Sequence, residues 1–266
     1  MGLKIVVCAK QVIDPDAPSA SFKINQANLS IMPPEGIPPV VNGFCENAVE
    51  AALKIKDSVP GTTVTVISIG SSFVLDVIKK PLSMGADQII LVEDQNIENA
   101  DPFSTTKILS ATIKTIPDFD LIICGQQASD WDNAHVPMGI SETLKIPCLN
   151  SAKEISIDEE TIIVKSSISD GYISLKSRLP ALVTVNNEIG EPRYPTLKGI
   201  MQASRKTPEK LTLEDIHLAQ SDISPKMSLL SLSIPISNSQ CEILEGETDA
   251  DSGKLLALKL REDKII

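Results

Sequence analysis

The stretch Asp120-Leu-Ile-Ile-Cys-Gly-Gln-Gln-Ala-Ser-Asp-Trp-Asp132 decides the fold. Its apolar run is short and shows no alternation, which is what a strand covered on both faces requires. Gly125 then opens a polar loop that ends near Pro137. In an open parallel sheet, ligands bind beyond the carboxyl ends of the strands, and a glycine there allows backbone to approach a ligand closely. A plain solvated loop between strand and helix is equally compatible with this spacing.

Working outward, Leu3–Ala9, Thr63–Ile69 and Gln88–Val92 read as further strands of the same buried kind. Amphipathic stretches at Cys45–Lys56, Ser72–Leu82, Pro102–Thr115 and Pro137–Leu144 predict the helices between them. Ala48, Ala51, Ala52 and Ile55 share one face of the first, and Asp101-Pro102 supplies an N-cap followed by an N1 proline. The pattern predicts an α/β protein with a doubly wound, mostly parallel sheet. After Pro147, Ile155–Ile157, Thr161–Val164 and Gly171–Leu175 read as hairpin strands added at a sheet edge, and Ala181–Val185 returns toward the core. Residues 1–190 are therefore expected to form the nucleotide-binding type of α/β domain, residues 191–206 a loop and short helix, and residues 207–266 a C-terminal arm that gains order on another surface.

Composition narrows the function. A formal net charge of −11 repels phosphate backbones and anionic membranes, and 3% aromatic residues is little for stacking bases. Neither nucleic acid nor membrane insertion is expected, since no apolar run approaches the length of a bilayer span. Five cysteines at 8, 45, 124, 148 and 241 make no CxxC pair and leave at least one without a disulfide partner, which points to a reducing, cytoplasmic setting. Asp130 and Asp132 with His135 are too few for a metal site, and no GxSxG, Walker loop or GxGxxG is present. No catalytic residue is assigned. The ligand-competent segments are Cys8–Gln11, Ile69–Ser72 and Gly125–Asp132.

Taken together, the motifs Lys4-Ile-Val-Val-Cys-Ala-Lys-Gln-Val-Ile-Asp14, Asn42-Gly-Phe-Cys-Glu-Asn-Ala-Val-Glu-Ala-Ala52, Met84-Gly-Ala-Asp87, Gly125-Gln-Gln-Ala-Ser-Asp130 and Glu191-Pro-Arg-Tyr-Pro-Thr-Leu-Lys-Gly-Ile-Met201 resemble, in order and spacing, the β subunit of electron transfer flavoproteins. The likeness covers roughly the first 206 residues. It implies an electron carrier, not an enzyme, that forms a heterodimer with an α subunit. FAD would be held by or shared with that subunit, and AMP or a second FAD would occupy the β-subunit site. Electrons would pass from client dehydrogenases of the acyl-CoA dehydrogenase type toward a quinone-linked oxidoreductase, with electron bifurcation where a second FAD is bound. A stand-alone adenine-nucleotide sensor is the alternative that shares such a sheet.

Carried over position by position, the resemblance implies that Cys8 and Ala9 meet the adenine, Asn42 contacts the nucleotide and Ile69 lines it. Gly125, Ala128, Trp131, Ala134, His135 and Val136 surround ribose and phosphate, and Phe44 lies near the partner's flavin. Leu197, with Arg193 and Tyr194, corresponds to a client-docking anchor. The segment Asn133-Ala-His-Val-Pro137 departs from the pattern. Ala134 and Val136 lean toward the Thr-Ala-Gln-Val-Gly of bifurcating members, whereas Pro137 removes one backbone donor from the loop expected to hold phosphate.

Overall fold

The computed structural model describes residues 2–98, 100–235 and 241–266. Among these, a nine-stranded sheet is built from β1 (Lys4–Cys8), β2 (Thr63–Gly70), β3 (Gln88–Glu93), β4 (Leu121–Gly125), β5 (Cys148–Asp158), β6 (Thr161–Ile168), β7 (Gly171–Arg178), β8 (Ala181–Val185) and β9 (Glu209–Leu211). Its order is β7-β6-β5-β8-β4-β1-β2-β3-β9. Every neighbouring pair from β9 through β5 is parallel, and β5, β6 and β7 form an antiparallel meander at one edge.

The unbroken apolar runs are explained by helices on both faces. Ile5, Val7, Val66, Leu91, Leu121 and Ile123 pack toward Ala48, Ala52 and Ile55 of α1 (Gly43–Ser58). The alternate residues Val6, Cys8, Ile67, Ile122 and Cys124 pack toward Leu109 and Ile113 of α2 (Pro102–Lys114) and Ile140 of α3 (Val136–Leu144). Each of these large side chains contributes roughly 1.5–3 kcal/mol when fully buried. The doubly wound class expected from the sequence is thus present, with α1 on one face and α2 and α3 on the other.

Two sequence expectations change. The helix expected over Ser72–Leu82 is split into Leu75–Ile78 and Lys80–Met84, because Pro81 has no N–H to return to the carbonyl one turn earlier. The polar composition predicts an arm from residue 207, yet Glu209–Leu211 joins the sheet beside β3. Leu213, Ile216 and Ile223 then bury against Val92, Ile97 and Ile108, so the first compact unit extends to Leu230. A few well-spaced apolar residues suffice to hold that stretch. A second unit, Ser231–Ile266, carries a helix α5 (Asp249–Glu262). Thr248 caps α5, with Asp249 and Asp251 in the first turn and Lys259 and Arg261 in the last, the arrangement its dipole favours. Leu255, Leu256 and Leu258 on α5 are exposed. Among the described residues no helix is long and apolar enough to cross a membrane.

Asp101 does more than cap α2. One carboxylate oxygen accepts from the Ser104 N–H (2.8 Å) and hydroxyl (2.9 Å), and the other accepts from the N–H groups of Lys226 (2.6 Å) and Met227 (2.9 Å). Burial alone would raise its pKa, but these hydrogen bonds outweigh it and hold the group below the usual 3.8. A depressed folded-state pKa contributes stability that is complete above the unfolded value and lost as pH falls through the folded one. Asp101→Asn retains an acceptor for Ser104 but turns an amide toward Lys226 or Met227, so a lower melting temperature is expected above pH 4. The difference from the unaltered protein should shrink as pH drops below 3.8. A gap independent of pH would show that the carboxylate charge is not what fixes residues 226 and 227.

Candidate functional site

The chain runs β1, β2, β3 to one side of β1 and then crosses back, so that β4 lies on its other side. The carboxyl ends of β1 and β4 flank the point where the strand order reverses, with Cys8 opposite Cys124. Such a crevice is where open α/β sheets take ligands.

Three loops meet there. Lys10, after β1, pairs with Asp130, after β4, at 2.6 Å. Gln11 accepts from the Val74 N–H at 2.9 Å, which ties the first loop to the one after β2. Asn42 grips the third loop from behind. Its amide nitrogen donates to the Gln127 carbonyl (3.0 Å) and the Cys45 sulfur (3.1 Å), and its amide oxygen accepts from the Ser129 N–H (3.1 Å). Asn42 is 0% exposed and, although it stands at the N-cap of α1, makes no side-chain capping bond. Its side chain is therefore fully engaged with the loop and reaches a ligand only through that loop.

The loop itself is tightly wound. Ala128 accepts from the N–H groups of Trp131 (3.2 Å) and Asp132 (2.8 Å), Gln127 donates to Asp132 (2.8 Å), and Asp132 and Ala134 adopt positive φ of 49° and 53°. Gln126 is held by the Val185 carbonyl and by Asn186. The turn leads into α3, whose first residues Val136 and Pro137 follow an uncapped His135. Of the free amides normally offered by a helix start, the one at Pro137 is missing.

The residues singled out by resemblance fall into two groups. Cys8, Ala9, Ile69, Gly125, Ala128, Trp131, Ala134 and His135 lie at the carboxyl edge of the sheet or on its loops, with Asn42 and Phe44 at the start of α1 and Val136 at the start of α3. Trp131 (49% exposed) and His135 are on the exposed side of the loop. The Ala9 N–H already donates to the Ile67 carbonyl at 2.9 Å, so a ligand contact there falls to its carbonyl oxygen. Gly125 is a glycine for a reason other than the one its position suggests. A Cβ on it would lie 2.7 Å from the Phe44 carbonyl carbon and Cβ, so it permits α1 to close on β4.

The second group sits elsewhere. Tyr194 and Leu197 are 93% and 75% exposed, and with Ile200 and Met201 they form an apolar face at and before helix α4 (Leu197–Arg205). Arg193 does not share that face. Its guanidinium is turned onto Glu50 (2.7 and 3.0 Å) and Asp57 (2.8 Å) of α1. Those carboxylates, Glu50 first, raise its pKa further above its ordinary value.

Sequence reasoning marked the segments that hold Lys10, Gln127, Ser129 and Asp130 without giving these residues a role, and it missed Glu50. Ser129 and Asp130 matter most, because the Ser129 hydroxyl and the second carboxylate oxygen of Asp130 are buried and make no hydrogen bond within the protein. Buried polar atoms of this kind cost about 1–3 kcal/mol each unless something else meets them. One is a donor and one an acceptor, both on the loop at the crevice, and an adenine nucleotide offers matching oxygens, hydroxyls and an amino group. The residues thus fit such a ligand. The nearby thiols do not add nucleophiles. Burial pushes Cys45 and Cys148 up to about 11, and the hydrogen bond with Cys8, then burial, takes Cys124 well above the usual thiol range. Among the described residues, no group of three or more His, Cys, Asp and Glu side chains is placed to share a metal ion.

Comparison with known proteins gives a consistent picture. The model of the electron transfer flavoprotein domain matches residues 35–216. The chain is 35% identical over 268 residues to the caffeyl-CoA reductase-Etf complex subunit CarD of Acetobacterium woodii, covering 99% of this chain and 100% of that one. It is 35% identical over 210 residues to the electron transfer flavoprotein subunit beta of Megasphaera elsdenii (77% of this chain, 76% of the relative). To the protein of the same name in Bacillus subtilis it is 30% identical over 233 residues (87% and 90%).

Proposed function

Since this chain belongs to the electron transfer flavoprotein family, we propose that it is the β-type subunit of an αβ heterodimer that takes electrons from acyl-CoA dehydrogenase-type clients and passes them toward a quinone-linked acceptor. Members of its kind are electron carriers rather than enzymes. The observation that carries the ligand reading is the unpartnered donor and acceptor on Ser129 and Asp130 at the switch-point crevice. An adenine nucleotide, AMP in the first reading, meets them there.

FAD, held by or shared with the α subunit, supplies the electron chemistry. This chain's residues bind and orient. The Ser129 hydroxyl is a donor for a ribose or phosphate oxygen, and the free Asp130 oxygen is an acceptor for a hydroxyl or amino group. Lys10 offsets the Asp130 charge, so that a phosphate nearby does not face an uncompensated carboxylate. A second FAD in the same crevice is the other reading, and Ala134 and Val136 favour it because they match the bifurcating pattern. The exposed face of Tyr194 and Leu197 is where a client dehydrogenase docks. The name of the CarD relative, a subunit of a caffeyl-CoA reductase complex, supports a client that handles CoA thioesters. The exposed leucines of α5 are covered by the α subunit in the heterodimer. A stand-alone nucleotide sensor has no use for either apolar face.

The test is to purify the chain with its α partner, denature the complex and quantify the released nucleotides. One FAD with one AMP per heterodimer supports the first reading, and two FAD supports the second. A heterodimer without flavin removes the redox function.

A further inference from the structure

We propose that Glu50, acting through Arg193, is a positioning residue that sets the docking anchor Tyr194–Leu197 in place. This rests on the docking reading above. The segment 190–196 belongs to no helix or strand, and Pro192 and Pro195 within it have no N–H to fix it. What holds it is one polar stripe of α1. Asn47 donates to the Gly190 carbonyl (3.1 Å), Lys54 donates to the Ile189 carbonyl (2.7 Å), and Asp57 accepts from the guanidinium of Arg193. Asn47, Glu50, Lys54 and Asp57 are spaced three, four and three residues apart, the interval that places side chains on one helix face.

Glu50 is the centre of that stripe. Its side chain is only 5% exposed, and it accepts three hydrogen bonds from Arg193: from the backbone N–H (3.0 Å), from Nε (2.7 Å) and from Nη2 (3.0 Å). A buried ion pair is often no more stabilising than a well-packed apolar pair of the same size. What this one adds is direction. By holding both the side chain and the backbone N–H of Arg193, Glu50 fixes the height and rotation of the chain immediately before Tyr194. The other end is fixed as well. A Cβ on Gly199 would lie 2.3 Å from the Ser83 carbonyl oxygen, so α4 is seated directly on the helix Lys80–Met84. Leu197, the first residue of α4, therefore projects from a junction anchored on both sides, and an anchor that is already ordered does not lose that freedom on docking.

The experiment uses the heterodimer, with a purified acyl-CoA dehydrogenase as the varied reactant. Glu50→Gln and Arg193→Lys are each expected to raise the apparent KM for the dehydrogenase about tenfold, equivalent to roughly 1.4 kcal/mol. Saturating kcat and flavin content should stay near those of the unaltered heterodimer, and amide exchange across residues 193–199 should accelerate. Leu197→Ala is run beside them. If it raises KM while both clamp variants leave KM and loop exchange unchanged, the positioning role is overturned and docking stands. If Leu197→Ala itself leaves KM unchanged, or the unaltered heterodimer shows no saturable reaction, the docking reading falls and this inference with it. Should Glu50→Gln fail to fold, Arg193→Lys decides: it retains the charge and loses the two-pronged contact.

Discussion

Substituting Gly125 by valine is expected to destabilise the protein by about 1–3 kcal/mol or more and to empty the crevice of nucleotide. The added Cβ would lie 2.7 Å from the carbonyl carbon and Cβ of Phe44 and 2.8 Å from its carbonyl oxygen, well inside the 3.4 Å at which ordinary contact begins. These are mostly backbone atoms of the first turn of α1 and cannot rotate aside. Gly125 has no positive φ, so the penalty is steric and not conformational. Relief requires α1 to back away from β4, and that first turn directly follows Asn42, which holds the loop after β4. Gly125→Ala should act in the same direction with a smaller effect. Gly43→Ala, whose Cβ meets nothing within 4 Å, is the control and should be neutral or stabilising by up to about 1 kcal/mol. A melting temperature lower by roughly 2–4 °C per kcal/mol is the readout, together with nucleotide content of the heterodimer. Unchanged values for Gly125→Val would mean that α1 and β4 are not held at this distance.

The parts of the fold legible in the sequence were those whose cause is local. Leu121–Cys124 reads as a doubly covered strand because every residue of it must be apolar, and Asp101-Pro102 reads as a helix start because cap and N1 proline are adjacent. The break at Pro81 was equally local, but the apolar spacing on either side of it masked the missing N–H. The stretch 209–223 was hidden for a different reason. Leu211, Leu213, Ile216 and Ile223 are too sparse to show a period, and the last three are buried, with Leu211 partly so, only because β3 and α2 offer a surface to receive them.

At the site, position was legible and role was not. The loop after β4 lies at the carboxyl edge of the sheet, as expected, but the close approach that Gly125 permits is to Phe44. Arg193 looked like part of a docking motif and is turned inward to a carboxylate 143 residues away. Nothing within a window of ten or twenty residues around Glu50 announces that pairing, since an acid among alanines reads as one more solvated helix position. The regions proposed to take the nucleotide and the client share α1. Its start meets the nucleotide loop, and its Glu50 and Asp57 turns, roughly 10 and 20 Å further along the axis, hold the segment that carries the docking anchor.

Asn42 provides the sharpest test of that division of labour, because two roles predict opposite outcomes for one substitution. Asparagine at an N-cap ordinarily accepts from the second or third helical N–H, and serine in its place is about as good. On that basis Asn42→Ser would be neutral. The side chain makes no such bond, however, and its three partners are Gln127, Cys45 and Ser129. Serine is too short to span from α1 to the loop, so the Gln127 carbonyl and the Ser129 N–H lose their partner. Both bonds are part-buried, so water recovers some of the roughly 1–3 kcal/mol that each unpaired buried group costs, and Asn42→Ser and Asn42→Ala should each destabilise the protein by roughly 2–4 kcal/mol. Slack in the loop displaces Ser129 and Asp130 from the crevice, so nucleotide recovered from the heterodimer should fall for both variants. Asn42→Asp keeps the acceptor for Ser129 but turns a carboxylate oxygen toward the Gln127 carbonyl at a fully buried position, and a loss at least as large as that of serine is expected. Normal melting temperature and full nucleotide content in Asn42→Ser would establish a capping residue in place of a tether, and would leave the loop after β4 to be held by the Lys10–Asp130 pair.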